Sequence, residues 1–89
     1  MSSLVPEPNP RVTGVTTDED TLHVDLADGR RIAVPLAWFP RLLHANQKQR
    51  DKWEILGDGE GIHWPDIDED LSVAGLLRGA RAPGTTPEQ

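Results

Sequence analysis

Three short segments in the first part of the chain have the pattern of β-strands. Residues 12–17 are rich in valine and threonine, and residues 22–26 and 31–34 alternate between apolar and polar positions. Gly14 is a candidate bulge or site of close packing in the first segment. Asp28-Gly29 joins the other two and is typical of a type I′ turn, in which both central residues have positive φ. The pattern predicts a three-stranded antiparallel meander.

One helix is predicted after these strands, because the apolar positions change to helical spacing. These positions are Leu36, Phe39, Leu42 and Leu43. Pro40 is tolerated in the first turn of a helix, so we expect the helix to begin near Trp38 or Pro40 and to run to about Ala45. Asn46 is a candidate N-cap for a further helical turn over residues 47–50.

The last part of the sequence predicts a hairpin and a second helix. Two apolar segments, 53–56 and 62–64, flank a glycine-rich turn, and Ser72 is a candidate N-cap for a short helix that ends at Gly79. The order of elements predicts an α+β fold. It consists of a small antiparallel β-meander of three strands packed on a helix, followed by a β-hairpin and a short C-terminal helix.

The ends of the chain differ in composition from its middle. Residues 1–10 contain three prolines among polar neighbours, and residues 80–89 show no apolar periodicity. We therefore predict a flexible lead-in over residues 1–10, a single domain over residues 11–79 and a flexible tail over residues 80–89.

Composition narrows the classes of function. Fifteen acidic and nine basic residues give a formal charge of -6, which disfavours a polyanionic partner because nucleic-acid affinity depends on many Lys and Arg contacts to phosphate. The absence of cysteine excludes disulfides, thiolate metal sites and a cysteine nucleophile. The N-terminus has no pattern of a secretory signal, and no apolar run is long enough to span a bilayer, which favours a cytoplasmic protein.

The densest polar feature is the acidic stretch that follows His63 and Trp64. Its four carboxylates, on Asp66, Asp68, Glu69 and Asp70, suit a hard cation, but their spacing differs from that of an EF-hand. They can equally stabilise a helix N-terminus, face the solvent or contact a basic partner. Since the three histidines fall in different predicted elements, no metal, cofactor or catalytic site is predicted.

The aromatic and basic residues suggest contact surfaces. Trp38 and Phe39 are adjacent and cannot both face the core from one helix, so Trp38 is the better candidate for a surface position. The one locally basic stretch is either a solvated helix face, a protein contact or a nucleic-acid contact. It comprises Arg41, Lys48, Arg50 and Lys52.

Three segments resemble a bacterial family known only as domain of unknown function 2442. They are LHVDLADGR (residues 22–30), PLAWFPRLL (residues 35–43, followed by Gln49-Arg50 and Trp53) and GEGIHWPDIDEDLS (residues 59–72). The resemblance extends from about Val12 to Gly79. It implies no activity and no catalytic residues. It does imply a likeness to antitoxins, since many members are short and encoded beside a small protein interpreted as a toxin. Some relatives also carry a helix-turn-helix, and the Pro/Gly/Thr composition of the residues after Gly79 predicts none in that segment.

The leading hypothesis is a non-catalytic protein-binding module, the antitoxin-like or regulatory half of a small protein pair, whose partner is small and basic. The alternatives are a nucleic-acid adaptor that uses the basic stretch, and a metal-binding enzyme built on His63 and the carboxylates of residues 66–70. A homodimer is also compatible with the sequence. The residues predicted to bind the partner are Trp38, Arg41, Trp64, Asp66, Asp68, Glu69 and Asp70.

Overall fold

The first three strands form an antiparallel meander, here called sheet A. In the computed structural model, which describes residues 9–81, its strands are β1 (Val12–Thr17), β2 (Thr21–Leu26) and β3 (Arg31–Pro35), in the order β1-β2-β3. The pairing of β1 with β2 shifts between Val12 and Gly14, which confirms the predicted bulge.

The prediction of a type I′ turn between β2 and β3 is wrong. Gly29 has a φ of 94°, but Asp28 is not among the residues with positive φ. The N–H of Gly29 donates to the carbonyl of Leu26 (3.1 Å), and the N–H of Leu26 donates to that of Arg30 (2.9 Å). This is a three-residue loop, in which a type I turn precedes one left-handed glycine.

Short helical segments connect sheet A to the second half of the domain. A 3₁₀ turn (Leu36–Trp38) leads into α1 (Pro40–His44), and Pro40 occupies its first turn as predicted. A second helix, α2 (Gln47–Arg50), begins at Asn46, whose side chain accepts the N–H of Gln49 (2.8 Å) while the Gln49 side chain accepts that of Asn46. This capping box confirms the N-cap read from the sequence.

The second half contains a second antiparallel sheet, here called sheet B, of three strands. They are β4 (Glu54–Leu56), β5 (Gly61–Trp64) and β6 (Glu69–Ser72), in the order β4-β5-β6. The first two form the predicted hairpin, whereas β6 begins in the acidic stretch and was not predicted. Ser72 then caps α3 (Val73–Arg78) by accepting the N–H of Gly75 (2.9 Å), and the α+β fold is confirmed.

Both sheets contribute to one core. The largest fully buried side chains come from β2, β5 and the helical segments, and they are Trp64, Leu22, Leu36, Leu42, Ile62, Val24 and Val73. Each buried aliphatic or aromatic side chain of this size contributes about 1.5–3 kcal/mol to folding. Within residues 9–81 no helix is long and apolar enough to cross a membrane.

The predicted lead-in and tail fall mostly outside the described residues, at 1–8 and 82–89. Their described parts make contacts with the domain. The N–H of Asn9 donates to Asp28 Oδ2 (2.8 Å), and the N–H of Ala80 donates to the carbonyl of Gly75 (2.9 Å).

Candidate functional site

A groove of about 590 Å³ lies where α1, β6 and α3 meet. Its floor includes the apolar side chains of Phe39 and Leu76. Charged residues of both signs line it, from α1, from β6 and the turn that precedes it, and from the end of α3 and the residues that follow it. They are Arg41, Asp68, Glu69, Asp70, Arg78 and Arg81. The groove therefore combines an apolar floor with charged walls, as binding sites commonly do.

Arg41 connects α1 to the acidic stretch. Its Nη1 donates to the main-chain carbonyl of Asp68 (2.6 Å) and lies 3.9 Å from Glu69 Oε1. Asp68 has a φ of 54°, the left-handed conformation that asparagine and aspartate tolerate best after glycine. The local turn and the arginine thus hold the start of β6 against α1, although the two segments are far apart in sequence.

Glu69 is a largely buried carboxylate of the groove with a single charged partner among the described residues. It lies opposite Trp64 in the β5–β6 pairing, and its side chain is only 13% exposed. Within the part of the chain that the structure describes, its carboxylate accepts no hydrogen bond, and Arg41 is its one ion-pair partner. Burial raises the pKa of Glu69, and the neighbouring Arg41 only partly offsets this rise. The site therefore holds a partly desolvated carboxylate with capacity for a further donor.

The far wall of the groove is formed by residues that follow α3. The guanidinium of Arg81 lies 4.6 Å from the ring centroid of Trp38, within the distance of a cation–π interaction. Trp38 is half-buried, whereas Phe39 is 2% exposed, as expected for two adjacent aromatic residues of which only one faces the core. Trp38 is thereby connected to the rim of the groove through Arg81.

The structure brings together some of the residues predicted to bind a partner and separates others. Arg41, Asp68, Glu69 and Asp70 line the groove. Asp66 points elsewhere and pairs with Lys52 (3.5 Å). The prediction that Trp64 contacts a partner is wrong, because its side chain is fully buried and its Nε1 donates to the carbonyl of Arg50 (3.0 Å). Its specific sequence context reflects packing.

The acidic stretch does not converge with His63 as a metal site would require. His63 Nδ1 hydrogen-bonds Asp70 across the β5–β6 pair, and this contact raises the pKa of His63. Asp66 and Glu69 face Lys52 and Arg41 instead. No group of three His, Asp or Glu side chains suited to a metal ion occurs among residues 9–81.

Most of the basic stretch has partners inside the domain. The guanidinium of Arg50 donates to the carbonyls of Leu42 (2.9 Å), Leu43 (3.2 Å) and Asp18 (3.3 Å). Arg41 and Lys52 also have partners within the domain, although their side chains are 62% and 56% exposed.

Arg78 and Arg81 were missed as groove residues because the sequence placed them at the end of a helix and in a tail. The available signal was weak. Two arginines flanking a helix-terminating glycine are commonly explained by interaction with the helix C-terminus, and Arg78 does lie in the last turn of α3.

The chain matches a protein family whose function is unknown. The model of the family described as "Protein of unknown function (DUF2442)" matches residues 12–82. A crystal structure of a protein of unknown function from Rhodospirillum rubrum is similar, with 34% sequence identity and a TM-score of 0.72, over 83% of this chain and 92% of the other. A solution structure of an uncharacterised protein from Chromobacterium violaceum matches with 25% identity and a TM-score of 0.70, over 83% and 70% of the two chains. No protein with a curated function matches.

Proposed function

This chain belongs to the DUF2442 family, and we propose that it is a non-catalytic protein-binding module whose groove receives a basic segment of a partner protein. The proposal rests mainly on the environment of Glu69. Its side chain is 13% exposed, and its carboxylate has one cation 3.9 Å away. A charged group taken out of water is stabilised only when it is fully paired. A lysine or arginine from a partner would complete that pairing.

The composition of the groove supports a peptide segment as its occupant. Phe39 and Leu76 offer apolar contact, Glu69 offers an acceptor for a basic side chain, and Arg78 can pair with an acidic neighbour in the same segment. The charge of -6 on the whole chain would attract a basic partner over a longer range and increase its association rate.

In the cell, the proposed role of this binding module is that of an antitoxin or a similar regulator of one partner protein. The partner is then the small protein encoded beside the family member, and the groove masks a basic functional segment of it. Both proteins would work in the cytoplasm, which suits a chain without cysteine.

Other polar groups support a non-catalytic role through their structural contacts. The hydroxyl of Ser72 caps α3, His63 pairs with Asp70, and His23 Nε2 lies 3.2 Å from Asp18 Oδ2. These groups hold elements of the fold together.

Calorimetric titration against the product of the adjacent gene tests the binding role. We expect Glu69→Gln to weaken the complex at least about tenfold, because a neutral amide pairs poorly with a buried cation. Glu19→Gln removes the same charge from the exposed turn between β1 and β2 and should change the affinity less than about twofold. Equal effects of both substitutions would contradict a specific role of the groove, and no binding at low salt would contradict the protein pair.

The stability of Glu69→Gln separates a binding role from a structural one. A carboxyl whose pKa is raised in the folded state binds protons more readily there than in the unfolded chain, so its ionisation destabilises the fold as the pH rises. The glutamine variant should therefore melt at a higher temperature than the wild type at neutral pH. A lower melting temperature would indicate that Glu69 mainly serves to hold Arg41.

A further inference from the structure

The outer strand of sheet B presents an apolar edge. Strand β4 lies at one end of the order β4-β5-β6, and all three of its residues are exposed. Ile55 and Leu56 are 42% and 40% exposed, and they are two of the three large apolar residues exposed within residues 9–81. A strand edge with exposed apolar side chains is a template for pairing with another strand.

The hairpin loop determines which backbone groups of β4 face outward. The carbonyl of Leu56 accepts the N–H groups of Gly59 and Glu60, at 3.2 Å each, so it points toward the hairpin. In an antiparallel pair, consecutive residues direct their N–H and C=O groups to opposite sides of the strand. The N–H and C=O of Ile55 therefore point away from β5, toward the open edge.

This arrangement is self-complementary about Ile55. If two copies of β4 run antiparallel, a two-fold axis at Ile55 allows each Ile55 to donate to and accept from the other. The same register places Glu54 opposite Leu56 of the second copy, so the glutamates do not face each other.

The charges that flank β4 complement each other in the same register. Lys52 precedes the strand by two residues and Asp58 lies in the turn that follows it, so the two-fold axis brings each lysine to the same end of the contact as the aspartate of the second copy. Within its own chain Lys52 pairs with Asp66 (3.5 Å), and it would exchange this surface pair for the new one. Lys52 and Asp58 are both exposed, and their contact occurs twice by symmetry.

We propose that a second copy of this chain binds at the β4 edge, in an antiparallel β4–β4 contact centred on Ile55 that joins the two copies of sheet B into one six-stranded sheet. The groove lies along β6, at the opposite edge of sheet B, and stays open in such a dimer. Dimerisation at β4 is thus independent of what the groove binds.

Sedimentation equilibrium of the full chain over a range of concentrations tests the dimer. The mass should rise from 9.8 kDa toward twice that value as the concentration approaches about 1 mM. Ile55→Lys should raise the dissociation constant at least about tenfold, since it places two like charges on the axis. Leu77→Lys is the matched control, because Leu77 is 46% exposed on α3 and lies away from β4; it should leave the mass unchanged.

A charge exchange identifies the register. Lys52→Glu should weaken the dimer about tenfold, because the new glutamate faces Asp58 of the second copy. The double variant Lys52→Glu, Asp58→Lys should restore the dimer affinity. Hydrogen exchange at the Ile55 amide should slow as the dimer forms. A chain that stays monomeric at about 1 mM would overturn the proposal. A dimer that survives Ile55→Lys with an unprotected Ile55 amide would overturn it as well.

Discussion

Sheet A and sheet B have the same number of strands and the same antiparallel order, but they use their charged residues differently. In sheet A the charges pair with close neighbours. Arg31 Nε donates to Asp25 Oδ1 (2.6 Å), and Arg30 Nη2 lies 2.8 Å from Asp28 Oδ2; both contacts hold the pKa of the aspartate below its usual range. In sheet B, burial raises the pKa of Glu69, which has no such hydrogen bond within residues 9–81. The aspartates of sheet A thus have close arginine partners, whereas Glu69 of sheet B has one cation 3.9 Å away.

The two sheets also differ in how far they support themselves. The strands of sheet A contain six, six and five residues, whereas those of sheet B contain three, four and four. Short strands form few ladder bonds, so sheet B depends on contacts outside it. Ile62 and Trp64 supply them by entering the common core, and Trp64 also bonds the end of α2.

Replacing Trp64 should have the largest effect of the substitutions considered, because it removes the main attachment of sheet B. We expect Trp64→Ala to lower the free energy of unfolding by about 3–5 kcal/mol, the usual range for a fully buried aromatic residue. Trp53→Ala, at a half-buried position, should lower it less. Urea unfolding followed by circular dichroism measures both. Equal losses in the two variants would show that Trp64 has no special role in attaching sheet B.

All three strands of sheet A were predicted from the sequence, whereas sheet B was predicted only in part. Strict alternation over residues 22–26 and the N-cap at Asn46 are local signals, and both sheet A and α2 were predicted from them. Strand β6 was missed because two of its four residues are acidic and only Leu71 is apolar, which gives no two-residue period. Pairing with β5 determines its conformation, and such pairing is invisible to a local pattern.

The candidate site was only partly predictable for a related reason. The acidic stretch stood out by composition, but the contact of Arg41 with Asp68 spans 27 residues, and no spacing rule connects them. Glu69 faces inward because it lies opposite Trp64, so its burial depends on a register that the sequence does not state. Trp64 was predicted as a contact residue, but tertiary packing buries it completely, and a local pattern does not show which tryptophan enters the core.

Substitution of Gly59 tests the contact between the hairpin loop of sheet B and strand β1 of sheet A, and we expect it to lower the free energy of unfolding less than Trp64→Ala does. Gly59 has a φ of 101°, and a Cβ there would lie 2.8 Å from Arg11 Cβ, beside the point where the N–H of Val12 donates to the Gly59 carbonyl (2.8 Å). Gly59→Ala should lower the free energy of unfolding by about 2 kcal/mol or more, through backbone strain and this clash. Gly29→Ala is the matched control, since its φ is 94° but no atom lies within 4 Å of its Cβ position; about 1 kcal/mol is expected. Similar losses at both positions would mean that the contact between the loop and β1 contributes little.

The smallest expected effect is a difference in the sign of the pH dependence between the sheets. The pKa of His63 is raised, chiefly by its hydrogen bond to Asp70, so its contribution to stability is complete below the unfolded pKa of about 6.5 and is lost as the pH rises through the folded value. The pKa of Asp25 is lowered, chiefly by Arg31, so its contribution is present above its unfolded value and is lost as the pH falls. Melting temperatures should therefore separate His63→Gln from the wild type most clearly below about pH 6.5, and Asp25→Asn at neutral pH but not in strong acid. A constant offset for His63→Gln across the pH range would show that its pair with Asp70 stabilises sheet B without proton linkage, and the two sheets would then differ in charge pairing alone.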